Sequence, residues 1–227
     1  MHLSLSFTFT LVVLAAVCSG YEDDCPCQLS ERPSTGMKAA TARWMMHSLD
    51  WGTLNTISSR FGNGEIPFGN IYSFVDGTCS NSTGTPYFYG TFLDQSLIDS
   101  TQNPMVSLTL SEASLPSVCG NKHGFEACSL RSQYGDPENP VCARLTVTGE
   151  LVVLKHDSAE YEFATSSLFE RHSSMATWPK DHNWLAFKID IKDIWLIDYF
   201  GGASIIPAKE YFSVDQVVAD DQMRHER

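Results

Sequence analysis

Residues 84–110, GTPYFYGTFLDQSLIDSTQNPMVSLTL, decide the fold class of this sequence. The aromatic run PYFYGTF is typical of a half-buried strand, and MVSLTLSE predicts a second strand after it. Between them, residues 94–102 predict a short helix, which ends before Asn103-Pro104 because proline cannot continue a helix. The stretch therefore predicts a strand, a short helix and a strand within a larger sheet.

The flanking segments extend this unit into a barrel. Two further helices are predicted at residues 34–50, capped by Ser34 or Thr35, and at residues 158–174, capped by Ser158. Alternating apolar residues predict the other strands, which are WGTLNTIS, FGNIYSFVDG, a hairpin-like pair about Gly149 in ARLTVTGELVVL, and two strands in WLAFKIDIKDIWLIDYFGG. About six to eight strands in mostly hairpin order, with two or three helices, predict an α+β fold, an antiparallel β-barrel with flanking helices.

The amino terminus predicts the compartment. An uncharged apolar stretch, Phe7 to Val17, precedes small residues and the acidic run YEDD, which is typical of a signal peptide cleaved between Ala16 and Tyr21. A signal anchor is the alternative, but the run is short for about 30 Å of hydrocarbon. We therefore expect a signal peptide (1–20), a polar Cys-containing tail (21–33), a barrel domain (34–220) and a C-terminal tail (221–227). The product is expected to be secreted or lumenal, with no membrane insertion after cleavage.

The cysteines and a sequon fit that compartment. Cys18 leaves with the signal peptide, and the six cysteines that remain are Cys25, Cys27, Cys79, Cys119, Cys128 and Cys142. An even number fits an oxidising compartment, but the sequence alone allows fifteen full pairings. Asn81-Ser82-Thr83 is the only N-x-[ST] sequon, so Asn81 is the expected glycosylation site.

One disulfide is suggested by the position of its cysteines. A long Gly- and Pro-rich segment runs from Pro116 to Pro140, and loops of that length are uncommon unless they are functional or tied down. A Cys119–Cys142 bond would close it and remove about 3 kcal/mol of unfolded-state entropy, so we predict that bond. Cys25 and Cys27 flank one proline and are too close for an unstrained mutual bond. Each of the two is expected to form a disulfide with a different cysteine, or one of them stays in a mixed arrangement.

Charge and missing motifs exclude several function classes. The net charge is −12, with 15 basic residues against 27 acidic ones and no basic run, which argues against nucleic acid and anionic membranes as partners. No G-x-S-x-G elbow marks a hydrolase. There is no G-x-G-x-x-G fingerprint or P-loop, and His172 and His182 imply no third metal ligand.

The opening stretch resembles the pyridoxamine-phosphate-oxidase superfamily, the FMN-binding split barrels. In an ungapped alignment on Asn103-Pro104, that family's Ser-Arg-Lys phosphate grip falls on Asp94, Gln95 and Ser96. An FMN phosphate carries close to two negative charges and needs charge-assisted donors, which these residues do not supply. We therefore expect a degenerate phosphate grip and no bound cofactor.

Longer strings are similar to one branch of that superfamily. These strings are SLFERHSSMATWPKDHNW (167–184), IKDIWLIDYFGG (191–202), KHGF (122–125) and PENPVC (137–142). They resemble the CREG glycoproteins (cellular repressors of adenovirus-early-protein-stimulated genes) from about Ala39 to Phe212. The resemblance implies a homodimeric split barrel that is N-glycosylated, secreted or endolysosomal, and acts through receptor or sorting partners in growth and differentiation.

The resemblance also leads to structural expectations. An inserted loop fills the cofactor pocket in that family, so we expect the Cys119–Cys142 segment to lie over the flavin groove. An apolar subunit interface is expected to involve the Trp178–Trp184 loop or neighbouring strands. The leading hypothesis is a non-enzymatic glycoprotein. The alternative is a flavin- or haem-linked oxidoreductase with its site at the dimer interface, whose basic cluster would come from Arg144, Lys155 or Arg171.

Overall fold

An antiparallel sheet that curls into a half-barrel forms the centre of the molecule. A computed structural model of the 227-residue chain describes residues 27, 31–60, 66–115 and 126–214. The strands are β1 Trp51–Ser58, β2 Ile66–Ser73, β3 Val75–Thr78, β4 Asn81–Gly90, β5 Met105–Ser111, β6 Arg144–Val153, β7 Leu185–Ile197 and β8 Ser204–Ile205. Their order is β2-β1-β5-β6-β7-β4-β3, with β8 beside β7. The predicted α+β split barrel is confirmed.

Helices cover parts of this sheet. They are α1 Lys38–Ser48, α2 Gln95–Ser100, α3 Ala159–Arg171 and α4 Ala208–Phe212. The predicted cap of α3 is confirmed, because the Ser158 side chain accepts a hydrogen bond from the Tyr161 N–H. The predicted cap of α1 by Ser34 or Thr35 is wrong. This helix begins after Met37 without a side-chain cap, and the Met37 N–H instead bonds to the Ser34 carbonyl at 3.1 Å.

Two apolar clusters lie on opposite faces of the sheet. The larger one fills the half-barrel between the sheet and α1, where Met45, Leu54 and Phe88 have no exposed surface. The smaller one lies under α3, where Leu168 packs among Val75, Tyr87 and Ala186. Strand β4 and the first residues of β7 are therefore covered on both faces.

Gly149 does not mark a turn, and the predicted hairpin about it is wrong. Strand β6 runs through Gly149 without a break, and its register to β7 shifts between Thr148 and Gly149. A Cβ atom on Gly149 would lie 2.1 Å from the Asp190 carbonyl oxygen. The glycine is thus required because two backbones approach closely at a β-bulge. The sequence around a bulge glycine looks like the sequence around a turn glycine, so the two roles cannot be told apart from it.

Two other strand predictions also need correction. Residues 185–197 form one long strand, not two, because β7 pairs along the whole of β6 and continues past the bulge. FGNIYSFVDG is split at Phe74 into β2, which pairs with β1, and β3, which pairs with β4.

The disulfide predicted between Cys119 and Cys142 is wrong, since Cys142 is bonded to Cys128 with a Cα–Cα distance of 5.0 Å. Consecutive turns return the chain to Cys128: the Asp136 N–H bonds to the Ala127 carbonyl at 2.9 Å. The bond closes a loop with a sequence separation of 14 residues, which in the chain-entropy view contributes about 3 kcal/mol. Cys119 itself lies outside the described residues.

A second disulfide joins Cys27 to Cys79, with a Cα–Cα distance of 5.1 Å. Cys27, Cys79 and Cys128 are therefore confirmed as disulfide cysteines, while Cys25 lies outside the described residues. So do the proposed signal peptide, most of the polar tail and the C-terminal tail. In the described part of the chain, every helix is too short or too polar to cross a lipid bilayer.

Candidate functional site

Asp94, in the position of the expected phosphate grip, lies at the start of α2. Its carboxylate accepts hydrogen bonds from the Ser96 N–H at 2.8 Å, from the Tyr72 hydroxyl at 2.6 Å and from Asn70 Nδ2 at 3.0 Å. Burial, together with the adjacent Asp94 carboxylate, raises the pKa of Tyr72, so its hydroxyl stays protonated and donates. The chain's own carboxylate thus occupies the donors at the start of this helix.

Gln95 and Ser96 are also turned inward. Ser96 is fully buried, and Gln95 Nε2 donates to Asp99 at 2.6 Å. Asp99 has no exposed surface and also accepts from the Thr56 hydroxyl at 2.8 Å and the Ser59 N–H at 2.7 Å. Burial acts to raise the pKa of Asp99, but these donors outweigh it and lower the pKa below its ordinary value. Asp94 therefore fastens α2 to β2, and Asp99, held by Gln95, fastens it to the end of β1.

The segment expected over the flavin groove connects β5 to β6. Ser111 at the end of β5 pairs with Arg144 at the start of β6. Tyr72, which donates to Asp94, pairs with Gly52 of β1, and β1 pairs in turn with β5. The position of the described residues 126–142 over a cofactor groove stays a prediction.

The basic cluster required by the oxidoreductase hypothesis is not assembled within the chain. Arg144 begins β6 and Lys155 follows its other end, so about 30 Å of strand lies between them. Arg171 is buried and donates to the Asp50 carboxylate at 2.7 Å. These three cations therefore do not form one anion site.

A buried carboxylate, Asp76, joins α1, α3 and the β3–β4 hairpin. It accepts from His47 Nδ1 at 2.7 Å and from the Gly84 N–H at 3.1 Å, and it also bonds the Ser82 hydroxyl. The guanidinium of Arg171 lies 3.8 Å away. Burial acts to raise the pKa of Asp76, but His47, Ser82 and Arg171 together lower it. Sequence reasoning missed this centre because its members are separated by up to 124 residues and share no motif.

The Trp178–Trp184 segment packs on its own barrel. The rings of Tyr89 and Trp184 stack 5.3 Å apart, Trp178 lies 4.8 Å from Trp184, and the Trp184 Nε1–H donates to the Pro179 carbonyl at 2.6 Å. His182 lies at the edge of this group, 5.8 Å from Trp184. That this segment forms part of a subunit interface stays a prediction.

His172 forms no metal site with His182. Its Nε2 faces the Phe74 carbonyl at 3.1 Å, whereas His182 lies at the edge of the aromatic group. Among the described residues, no three His, Cys, Asp or Glu side chains come together in a metal-binding arrangement. His172 instead contacts a backbone carbonyl, and His182 lies beside the Trp184 ring.

Replacing His172 is expected to change how stability depends on pH. Burial lowers the pKa of His172 below its ordinary value of about 6.5, so the unfolded state takes up a proton first as the pH falls. The free energy of unfolding of the wild type should therefore decrease below about pH 6.5, and it should decrease less in His172→Gln, whose amide can still donate to Phe74. Urea unfolding at several pH values measures this, with the exposed His156→Gln as the control. Parallel curves for wild type and His172→Gln would contradict it.

The chain is similar to proteins of one known family. A family model described as "CREG, beta-barrel" matches residues 33–213. The chain belongs to the CREG β-barrel family. It is 39% identical to human Protein CREG2 over 183 residues, which are 81% of this chain and 58% of that protein. It is 40% identical to chicken Protein CREG1 over 178 residues, which are 78% of this chain and 85% of that protein.

The resemblance to the CREG family and to the split barrels is thereby confirmed. Among solved structures, a haem-binding protein from Mycobacterium smegmatis matches with a TM-score of 0.59 at 15% identity, covering 86% of this chain and 68% of that one. At that identity the likeness shows a shared fold alone. The names of these two CREG relatives state no enzymatic activity.

Proposed function

We propose that this CREG-family protein is a non-enzymatic, homodimeric glycoprotein, secreted or endolysosomal, with a degenerate flavin site. It acts through a receptor or sorting partner, in growth and differentiation. One observation carries the proposal: the Asp94 carboxylate accepts three hydrogen bonds at the start of α2. A phosphate placed there would meet a negative charge instead of charge-assisted donors.

The compartment and the glycan have their own support. Two disulfides fit an oxidising compartment. Asn81 begins β4 with an exposed side chain, two residues after the disulfide-bonded Cys79, where a glycan has access to solvent. The partner and the role in growth rest on the family resemblance.

A second candidate function is that of a flavin- or haem-linked oxidoreductase with its site at the dimer interface. Its support is the shared fold with the M. smegmatis protein, which is named as haem-binding. His182 would be the ligand to test first, because its side chain is 40% exposed beside the aromatic surface of Trp184.

An absorbance spectrum separates the two candidates. The protein purified from a secretory expression host is expected to show no visible band, and added FMN should not bind, because Asp94 repels its phosphate. Riboflavin is the matched control, since it has the flavin ring without the phosphate. A bound flavin band would overturn the degenerate site. A Soret band that appears with haemin and disappears in His182→Ala would favour the second candidate instead.

A further inference from the structure

The loop closed by the Cys128–Cys142 disulfide carries the two most exposed large apolar side chains of the described chain. Leu130 is 76% exposed and Tyr134 is 80% exposed, and Arg131 next to Leu130 is exposed as well. Leu130 and Tyr134 lie outside both apolar clusters, so the packing of the barrel does not depend on them. We call residues 129–135 the loop tip.

Turn bonds within the loop hold the loop tip in place. Among the described residues, the hydrogen bonds of the loop tip stay within residues 126–139. The Ser132 N–H donates to the Ser129 carbonyl at 3.0 Å, and the Arg131 N–H donates to the Ser129 hydroxyl at 3.2 Å. Exposed turn bonds open locally at little cost in free energy, and exposed loop tips are preferred sites of proteolytic nicking. The loop tip can therefore extend into the cleft of an endopeptidase while the barrel stays folded.

Arg131 gives the loop tip a recognition element for one class of endopeptidase. Trypsin-type serine endopeptidases bind the residue before the cleaved bond in a pocket that contains a carboxylate. A guanidinium donates charge-assisted hydrogen bonds to that carboxylate, which makes arginine a preferred residue there. The residue after Arg131 is the small Ser132. The Arg131–Ser132 bond therefore has the chemistry that this class of enzyme cleaves.

Other exposed basic residues outside α-helices and strands are held more firmly. In the described part of the chain they are Arg60, Lys155 and Lys180. Ser59, which precedes Arg60, bonds the Asp99 carboxylate through its N–H at 2.7 Å and its hydroxyl at 2.8 Å. Pro179, which precedes Lys180, accepts a hydrogen bond from the Trp184 Nε1–H at 2.6 Å. Binding of an endopeptidase at Arg60 or Lys180 would therefore have to break contacts that the folded chain makes there.

Lys155 is the sharpest comparison, because it follows a leucine as Arg131 does. Leu154 is 6% exposed and packs in the smaller apolar cluster under α3, and its N–H donates to the Ala186 carbonyl at 2.9 Å. To extend into an endopeptidase, Leu154 would have to leave this cluster and expose apolar surface to water. Leu130 is already in water and loses no such contact. Burial thus separates two similar pairs of residues and favours cleavage after Arg131.

We propose that the Arg131–Ser132 peptide bond is a cleavage site for a trypsin-type serine endopeptidase, and that cleavage gives a two-chain protein. Water adds across the peptide bond, which leaves a carboxylate on Arg131 and an ammonium group on Ser132. Cys128 lies before the cut and Cys142 after it, so their disulfide keeps the two chains joined. The pairing of β5 with β6 and of β4 with β7 holds both chains in one barrel. This inference goes beyond the proposed function and depends on neither the dimer nor the partner.

Limited proteolysis of the full chain from a secretory host tests the site, with trypsin as the endopeptidase. In the wild type the first internal cut is expected after Arg131. The mass without reductant should rise by the mass of one water, and reductant should separate two fragments, of which the second begins at Ser132. Arg131→Gln removes the charge that the pocket binds and should slow the loss of intact chain at least about tenfold. Lys155→Gln is the matched control and should leave that rate unchanged.

Each outcome decides one part of the proposal. A first internal cut elsewhere, or intact chain that is lost equally fast in Arg131→Gln, would overturn the site. Fragments that separate without reductant would overturn the two-chain form. Circular dichroism checks that both variants fold, which is expected because both side chains are exposed. Protein collected from its native secretion should contain the Ser132 amino terminus, and native protein that stays uncut would overturn a processing role even if trypsin cleaves after Arg131.

Discussion

Replacing Arg171 by Met is expected to lower the free energy of unfolding by about 3–5 kcal/mol, the usual cost of leaving one member of a buried ion pair alone. The Arg171 side chain is 1% exposed. Its Nη2 donates to the Asp50 carboxylate at 2.7 Å and to the His47 carbonyl at 2.9 Å, which joins the end of α3 to the end of α1. Methionine keeps most of the apolar stem and removes the charge and both bonds.

The effect should be large because Asp76 loses a cation as well. This carboxylate has no exposed surface and lies 3.8 Å from Arg171, so only His47 and neutral donors would remain in contact with it. Arg171→Lys keeps the positive charge but lacks the forked donors of the guanidinium. Its free energy of unfolding should therefore lie between those of the wild type and Arg171→Met. Urea unfolding measures all three.

Arg131→Met is the control for this prediction. Arg131 is exposed, and its loss should change stability by less than about 0.5 kcal/mol. A loss below about 1 kcal/mol for Arg171→Met would mean that water already solvates this centre and that the buried pair contributes little.

Local sequence signals predicted the elements that depend on local physics. Ser158 begins α3 because its hydroxyl caps the helix, and Asn103-Pro104 follow the end of α2 because proline cannot continue a helix. The period-2 pattern placed β1 and β5 within one or two residues. Such features are set by neighbours a few positions apart, which a single sequence contains.

Features that depend on distant partners were not predictable in the same way. The sequence around Gly149 predicts a turn, whereas the glycine is needed because the Asp190 backbone of another strand lies against it. The length of the loop predicts a bond from Cys142 to Cys119, whereas turns inside the loop bring Cys128 to Cys142. At the candidate site the sequence showed that Asp94 replaces a cation, but not that Tyr72 and Asn70 hold its carboxylate.

Replacing Arg32 by Met is expected to lower the free energy of unfolding at neutral pH by about 3 kcal/mol. Arg32 Nε lies 3.1 Å from Glu112, which has no exposed surface, and Nη2 donates to the carbonyls of Val141 and Asp198 at 3.3 and 3.4 Å. One side chain from the N-terminal segment thus ties together the ends of β5 and β7 and the entry to β6. Its removal would leave the Glu112 carboxylate buried without its cation.

The loss of unfolding free energy in Arg32→Met should become smaller as the pH falls, because Glu112 takes up a proton. Burial, together with the charge of Asp198, raises the pKa of Glu112 above its ordinary value, although Arg32 and the Ala143 N–H act in the opposite direction. Without Arg32 that pKa rises further, so the folded variant takes up a proton at a higher pH than the unfolded chain does. Proton uptake then stabilises the folded variant. The difference between wild type and Arg32→Met should therefore be smaller at about pH 4.5 than at about pH 7.

A double variant separates the missing cation from the missing contacts. In Glu112→Gln the side-chain oxygen can still accept from the Ala143 N–H, which the carboxylate binds at 2.9 Å, but the negative charge is gone. Arg32→Met combined with Glu112→Gln should therefore recover most of the loss and remove its pH dependence, since the penalty comes from a buried charge without a partner. Lys209→Met, an exposed change, is the matched control in urea unfolding. A double variant as unstable as Arg32→Met alone would show that the bonds to Val141 and Asp198, and not the ion pair, hold the N-terminal segment on the barrel.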